Sequence, residues 1–99
     1  MPQLTEQEIY RKAISDYGKG PQKLKAIEEL AELIQAVAKG NLSNIAEEMA
    51  DVGIMLAQLE IIYNNAKEVA GYKQDKLERL NYRLLKFEEQ LSYDQEEWG

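Results

Sequence analysis

Apolar residues recur along this chain at intervals of three and four, the period of an α-helix. Leu24, Ile27, Leu30, Leu33, Ile34 and Val37 make a broad apolar face on one predicted helix. On the next, Met49, Val52, Ile54, Met55, Leu56, Leu59, Ile61 and Ile62 cover nearly the whole circumference, which predicts a buried central helix. Between them Lys39-Gly40-Asn41-Leu42-Ser43-Asn44 reads as a turn. Gly40 suits the left-handed position after a helix, and Ser43 or Asn44 suits the cap of the helix that follows. Residues 22 to 63 are therefore expected to form a helical hairpin.

The flanking segments read as further helices. Thr5 with Glu8 three residues later is a capping box, and the helix it starts should run to about Tyr17, with Ile9, Tyr10, Ala13 and Ile14 on a modest apolar face. Asp16 to Pro21, with two Gly and one Pro, is a turn, and Pro21 fits the first turn of the next helix. Asn64 and Asn65 can end one helix and cap another, which then continues through Gly71 or breaks at it. Farther on, Leu77, Leu80, Leu84, Phe87 and Leu91 alternate three and four apart, the a/d pattern of a helix-packing seam. The chain is expected to be all-α, with four to five helices around the central hairpin. Residues 1–91 make one domain and residues 92–99 an acidic tail that frays. The seam and the nearly all-apolar central helix exceed what one small hairpin can cover, which predicts an oligomeric bundle, a homodimer or homotetramer.

Polar residues on the hairpin change the picture. One arm carries EELAE (Glu28 to Glu32) and the other EEMAD (Glu47 to Asp51). Glu29 and Glu32 are three apart, as are Glu48 and Asp51, so each pair shares a helical face. Facing residues of an antiparallel hairpin average to the centre of its turn. Glu29 with Asp51 and Glu32 with Glu48 both average to position 40, so four carboxylates should meet about 12 Å from the turn at 1.5 Å per residue. An EExxE run alone reads as a solvated helix face. Glu48 and Asp51, however, fall on either side of Met55 within apolar surface, and Glu29 lies beside Leu33. Carboxylates gathered there must take up protons or bind cations, and a divalent metal is the simplest resolution.

The ligand types narrow the metal. The chain contains no His and no Cys, which excludes thiolate or imidazole zinc sites and the Glu-x-x-His arrangement of helical di-iron proteins. Carboxylate oxygens favour Mg²⁺ or Mn²⁺, and Mg²⁺ is commonly completed by substrate phosphates.

The order Glu28-Glu29-x-x-Glu32, a short turn, then Glu48-x-x-Asp51 resembles the signature of the MazG-like, all-α nucleoside triphosphate pyrophosphohydrolases. The resemblance extends upstream to Tyr17-Gly18 and Gln22 and covers roughly residues 10 to 85. It implies a Mg²⁺-dependent cut between the α- and β-phosphates of a nucleoside triphosphate, with Glu29, Glu32, Glu48 and Asp51 as metal ligands. It also suggests that Tyr17 and Gln22 contact substrate; as plain structure they read as a packing Tyr and a helix-start Gln. Lys76, Arg79 and Arg83, in KLERLNYR, resemble the segment where the family places a cation for phosphate oxygens. Equally they read as partners of Glu78, Glu88 and Glu89 on a wet face. Glu28 and Glu47 are candidates for a supporting acid or base. With no other obvious nucleophile, direct attack by water is the economical mechanism. Phosphoribosyl-ATP pyrophosphohydrolase resembles the same family and is an alternative, as is a non-catalytic helical adaptor or regulator that binds metal or nucleotide without turnover.

Charge and composition exclude other classes. Acidic residues outnumber basic ones 18 to 12, for a net charge of -6, the wrong balance for a general nucleic-acid binder. Metal ions can still bridge an acidic protein to a triphosphate. No stretch approaches the length of a membrane span, and the start MPQLTEQEIY lacks the regions of a signal peptide, so the expected location is the cytosol. No phosphate-binding Gly loop is present, which argues against a Walker-type NTPase.

Overall fold

The computed structural model describes the backbone of residues 3–98 and the side chains of residues 3–91. Among the described residues there are four α-helices and no strand: α1 (Glu6–Tyr17), α2 (Lys19–Lys39), α3 (Leu42–Tyr63) and α4 (Ala66–Trp98). They fall into two compact units, Met1–Asn65 and Ala66–Gly99. The all-α expectation holds, with four helices, because α4 runs unbroken through Gly71. Its backbone is helical to Trp98.

In the first unit each boundary has a local cause. The capping box of α1 is complete: the Glu8 N–H donates to Thr5 Oγ1 at 3.1 Å, and the Thr5 N–H donates to Glu8 Oε1 at 3.3 Å. Gly18, at φ 97°, ends α1 by donating its N–H to the Ile14 carbonyl at 2.9 Å. It also begins α2 by accepting from the Gln22 N–H at 3.1 Å. Few residues other than glycine adopt that φ, so one residue makes the whole connection. At the far end of α2, Gly40 takes the left-handed conformation, as expected.

The cap of α3 differs from expectation. It is Asn41, not Ser43 or Asn44: its Oδ1 accepts from the Asn44 N–H at 3.1 Å and from Ser43 Oγ at 3.1 Å. Gly40 completes the reversal by itself, so the next residue is already extended and the helix starts one residue after it. α3 ends in a Schellman motif, with Asn64 left-handed, its N–H donating to the Ile61 carbonyl and the Asn65 N–H to that of Glu60, each at 3.2 Å.

The side of α2 that meets α3 is also unexpected. Gln22, Ala26, Glu29 and Ala36 are buried and Leu33 is half-buried, a seam spaced four, three, four and three. The larger apolar residues Leu24, Ile27, Leu30, Ile34 and Val37 face outward, from 39% exposed at Leu30 to 70% at Ile34. Likewise α3 buries Val52, Met55 and Gln58 but leaves Met49 60% and Leu56 49% exposed. The expectation of a central helix buried all round is therefore corrected for the single chain. α3 packs on α2 and α1, and two helices cover only part of its circumference.

Asn41→Ala should cost about 1 kcal/mol of unfolding free energy, the usual loss for a side-chain N-cap. Asn44→Ala, which keeps the N–H that Asn41 accepts from, should cost much less. Urea denaturation of the two variants beside the parent measures the difference.

Candidate metal centre

The inward seam of α2 carries the hairpin's polar residues toward α3. Gln22 and Gln58 average to position 40, as do Glu29 and Asp51, and Gln22 Nε2 donates to Gln58 Oε1 at 2.7 Å with both residues buried. That bond shows the hairpin in the register the sequence predicts. Seven residues nearer the turn on each arm, two helical turns away on the same face, lie Glu29 and Asp51.

One ligand oxygen each from Glu29, Glu48 and Asp51 lies within 4.8 Å of the others. Glu29 is buried at 6% exposure, and Glu48 and Asp51 are half-buried. Lys25, one turn before Glu29, places Nζ 3.0 Å from Glu29 Oε1 and 3.8 Å from Glu28 Oε2. The other oxygen, Glu29 Oε2, is buried without a hydrogen-bond partner, and so is Glu48 Oε2.

The electrostatics split the cluster. The hydrogen bond from Lys25 outweighs burial and holds the Glu29 carboxyl below its ordinary value. Glu48 has no such cation. Burial first, then the charges of Glu32, Glu29 and Asp51, push its pKa up to about 7. Lys25 is in turn raised, chiefly by its bond to Glu29.

Of the residues singled out from the sequence, the structure thus gathers Glu29, Glu48 and Asp51. Glu32 is exposed and outside the group of three, though near enough for its charge to act on Glu48. Glu28 and Glu47 are exposed beside it. Tyr17 is 69% exposed at the end of α1, whereas Gln22 is taken up by Gln58. Lys76, Arg79 and Arg83 line one depression on α4, in the second unit. Sequence reasoning missed Gln58 and Lys25. The register about position 40 pairs Gln58 with Gln22, and four-residue spacing puts Lys25 on Glu29, so both were within reach of the same rules.

These residues fit a divalent metal. All the donors are hard carboxylate oxygens, and two of those oxygens are cut off from both water and protein donors. An unsatisfied buried acceptor costs about 1–3 kcal/mol, which a cation among the three carboxylates would offset.

Without metal, Glu48 should make stability fall as pH rises. Its folded pKa of about 7 exceeds the ordinary 4.5, so the folded state binds the extra proton between those values. That advantage is complete below about pH 4.5 and is lost as pH passes 7. In metal-free buffer the difference in melting temperature between Glu48→Gln and the parent should widen in favour of the variant from pH 5 to pH 8. A constant difference would remove the assignment.

A family model described as the MazG nucleotide pyrophosphohydrolase domain matches residues 21–81. The matched span starts just before Gln22, holds both acidic arms of the hairpin and reaches Lys76 and Arg79 on α4; Tyr17 and Arg83 lie outside it. No curated protein and no solved structure matches the chain. The match covers well over half of the sequence and contains the whole carboxylate cluster, and on that ground the chain belongs to the MazG nucleotide pyrophosphohydrolase family.

Proposed function

We propose that this protein is a Mg²⁺-dependent nucleoside triphosphate pyrophosphohydrolase that cleaves the α–β phosphoanhydride, giving nucleoside monophosphate and pyrophosphate. The observation that carries this reading is the group of Glu29, Glu48 and Asp51, with two orphaned buried oxygens, inside a MazG-family segment. In it those three residues, with Glu32 at the exposed edge, hold Mg²⁺ or Mn²⁺. A bound ion of this kind neutralises phosphate charge and makes water a better nucleophile. Lys25 keeps Glu29 ionised and so ready to ligate. Glu48 has to release its proton to do the same, which ties metal affinity to pH. Glu28 or Glu47, exposed and next to ligands in sequence, serves as the supporting acid or base.

Substrate contacts follow the same reading. Tyr17 offers an exposed ring to the nucleotide. Lys76, Arg79 and Arg83 together make a basic group on α4 of the kind that suits phosphate oxygens. Gln22 contributes by holding the hairpin in register through Gln58, and its remaining amide N–H and Oε1 are the groups it would offer to substrate. No helix among the described residues is long and apolar enough to cross a membrane. The outward stripe of α2 calls for another apolar surface, since full burial of a side chain such as Leu24 or Ile34 is worth about 1.5–3 kcal/mol. A homodimer or homotetramer supplies that surface.

Incubation of a nucleoside triphosphate panel with Mg²⁺ should yield monophosphate and pyrophosphate. Orthophosphate with diphosphate would exclude the reading, and metal binding without turnover would favour a non-catalytic role. Asp51→Asn should reduce turnover roughly a hundredfold or more, the scale of losing a group that stabilises transition-state charge. It should leave the metal-free melting temperature unchanged or higher, because it removes one of the repelling charges. Mg²⁺ at a hundredfold excess over its dissociation constant should stabilise the parent by about 2.7 kcal/mol, and the variant far less. Light scattering at micromolar concentration should give a mass above the 11.4 kDa of one chain. A well-folded monomer would refute the oligomer.

A further inference from the structure

α4 presents a second apolar stripe, separate from that of α2. Leu77, Leu80, Leu84, Phe87 and Leu91 are each 46–62% exposed and follow one another at intervals of three, four, three and four. A stripe this narrow has the width of a two-helix seam and is narrower than a face packed into a globular core. The spacing admits one heptad assignment, with Leu77, Leu84 and Leu91 at a and Leu80 and Phe87 at d.

That assignment divides the polar side chains of α4 into two groups. Lys86 falls at c and Tyr82 and Glu89 at f, away from the seam, and there the helix pairs with itself. Lys86 Nζ is 3.8 Å from Glu89 Oε2 and lies 5.7 Å from the Tyr82 ring centre. Arg83 at g and Glu88 at e border the seam on opposite sides. Neither has an ion-pair partner among the described residues. Charges left free at the edges of an apolar seam are the ones that select a partner helix and its direction.

We propose that α4 docks against α4 of a second copy as a parallel, in-register coiled coil over residues 77–91. The charges favour this occupant and this direction. In a parallel pair a g residue faces the e residue five positions on in the partner, so Arg83 meets Glu88, twice by symmetry, and Lys76 meets Asn81. An antiparallel pair sets g against g, which brings Arg83 toward its own copy, a repulsive contact. The chain thus carries on one helix both halves of the complementarity that the parallel pair requires. This inference is independent of metal and of turnover.

The chain has no cysteine, so a single introduced thiol reports its own neighbour without background. Positions 77 and 87 are ten residues apart, about 15 Å along the helix, well beyond the reach of a disulfide. In the parallel pair Leu77→Cys faces itself and Phe87→Cys faces itself. Each full-length variant alone should oxidise to a covalent dimer, and their mixture should form no 77-to-87 link. In an antiparallel pair centred near position 82, neither variant links to itself and the mixture does. Tyr82→Cys, turned away from the seam in both arrangements, is the control for random collision. Self-linking at 77 and 87 should exceed this control by roughly tenfold, as expected for thiols held in contact rather than meeting by diffusion. Linking only in the mixture, or none above the control, overturns the proposal.

A second arm tests the charges with the fold intact. In the Leu77→Cys background, Arg83→Glu should slow self-linking roughly threefold to tenfold, the scale of two exposed ion pairs turned repulsive. Adding Glu88→Arg should restore it. Linking that ignores both changes would remove the interaction that sets the orientation, and with it the proposal.

Discussion

The register of the α2–α3 hairpin is the constraint on which the rest of the first unit depends. A helix turns 100° per residue, so a slip of one position on either arm would carry Glu29 or Asp51 out of the contact. Three local devices hold the register. Gly40 reverses the chain in a conformation that suits glycine, Asn41 starts α3 at once, and the Gln22–Gln58 bond ties the arms two turns beyond the carboxylates. A buried amide pair contributes little net stability when satisfied but is costly to break, which makes it better suited to choosing one register than to strengthening the core.

That register also places the polar residues inward. The α2 residues on the inner seam include a glutamine and a glutamate, with Ala26 between them and Ala36 beyond, while the bulkier stripe from Leu24 to Val37 stays outside. For an isolated chain this inverts the usual arrangement of a helix. The polar groups of the carboxylate cluster thus lie on the inner seam, and the apolar bulk of α2 lies on its outer face.

Within the seam, the three carboxylates are not equivalent. Of the three, only Glu29 is paired with Lys25 and remains an anion, while Glu48 collects the penalties of burial and of its neighbours and holds a proton to about pH 7. An acidic cluster that carries one proton and two orphaned oxygens can persist without metal and still exchange that proton for a cation. The difference follows from a single four-residue spacing, Lys25 to Glu29, that the other arm lacks.

Much of this was legible in the sequence because it is local or follows from simple symmetry. The capping box at Thr5, the reversal at Gly40, the ExxD spacing that brings Glu48 and Asp51 together and the averaging of facing residues to position 40 depend only on helix period and turn chemistry, and the structure shows each of them. The rest was settled by tertiary structure. Periodicity pointed to the side of α2 with the most hydrophobic bulk, and the fold buried the other side, because only there do small residues and a matching polar pair let α2 and α3 meet. The cap moved to Asn41 because the extent of one glycine's reversal cannot be read from composition. Glu32 stayed at the exposed edge while Glu29 was buried, although the two share a motif, because burial depends on what a neighbouring helix covers and no spacing on a single helix contains that information.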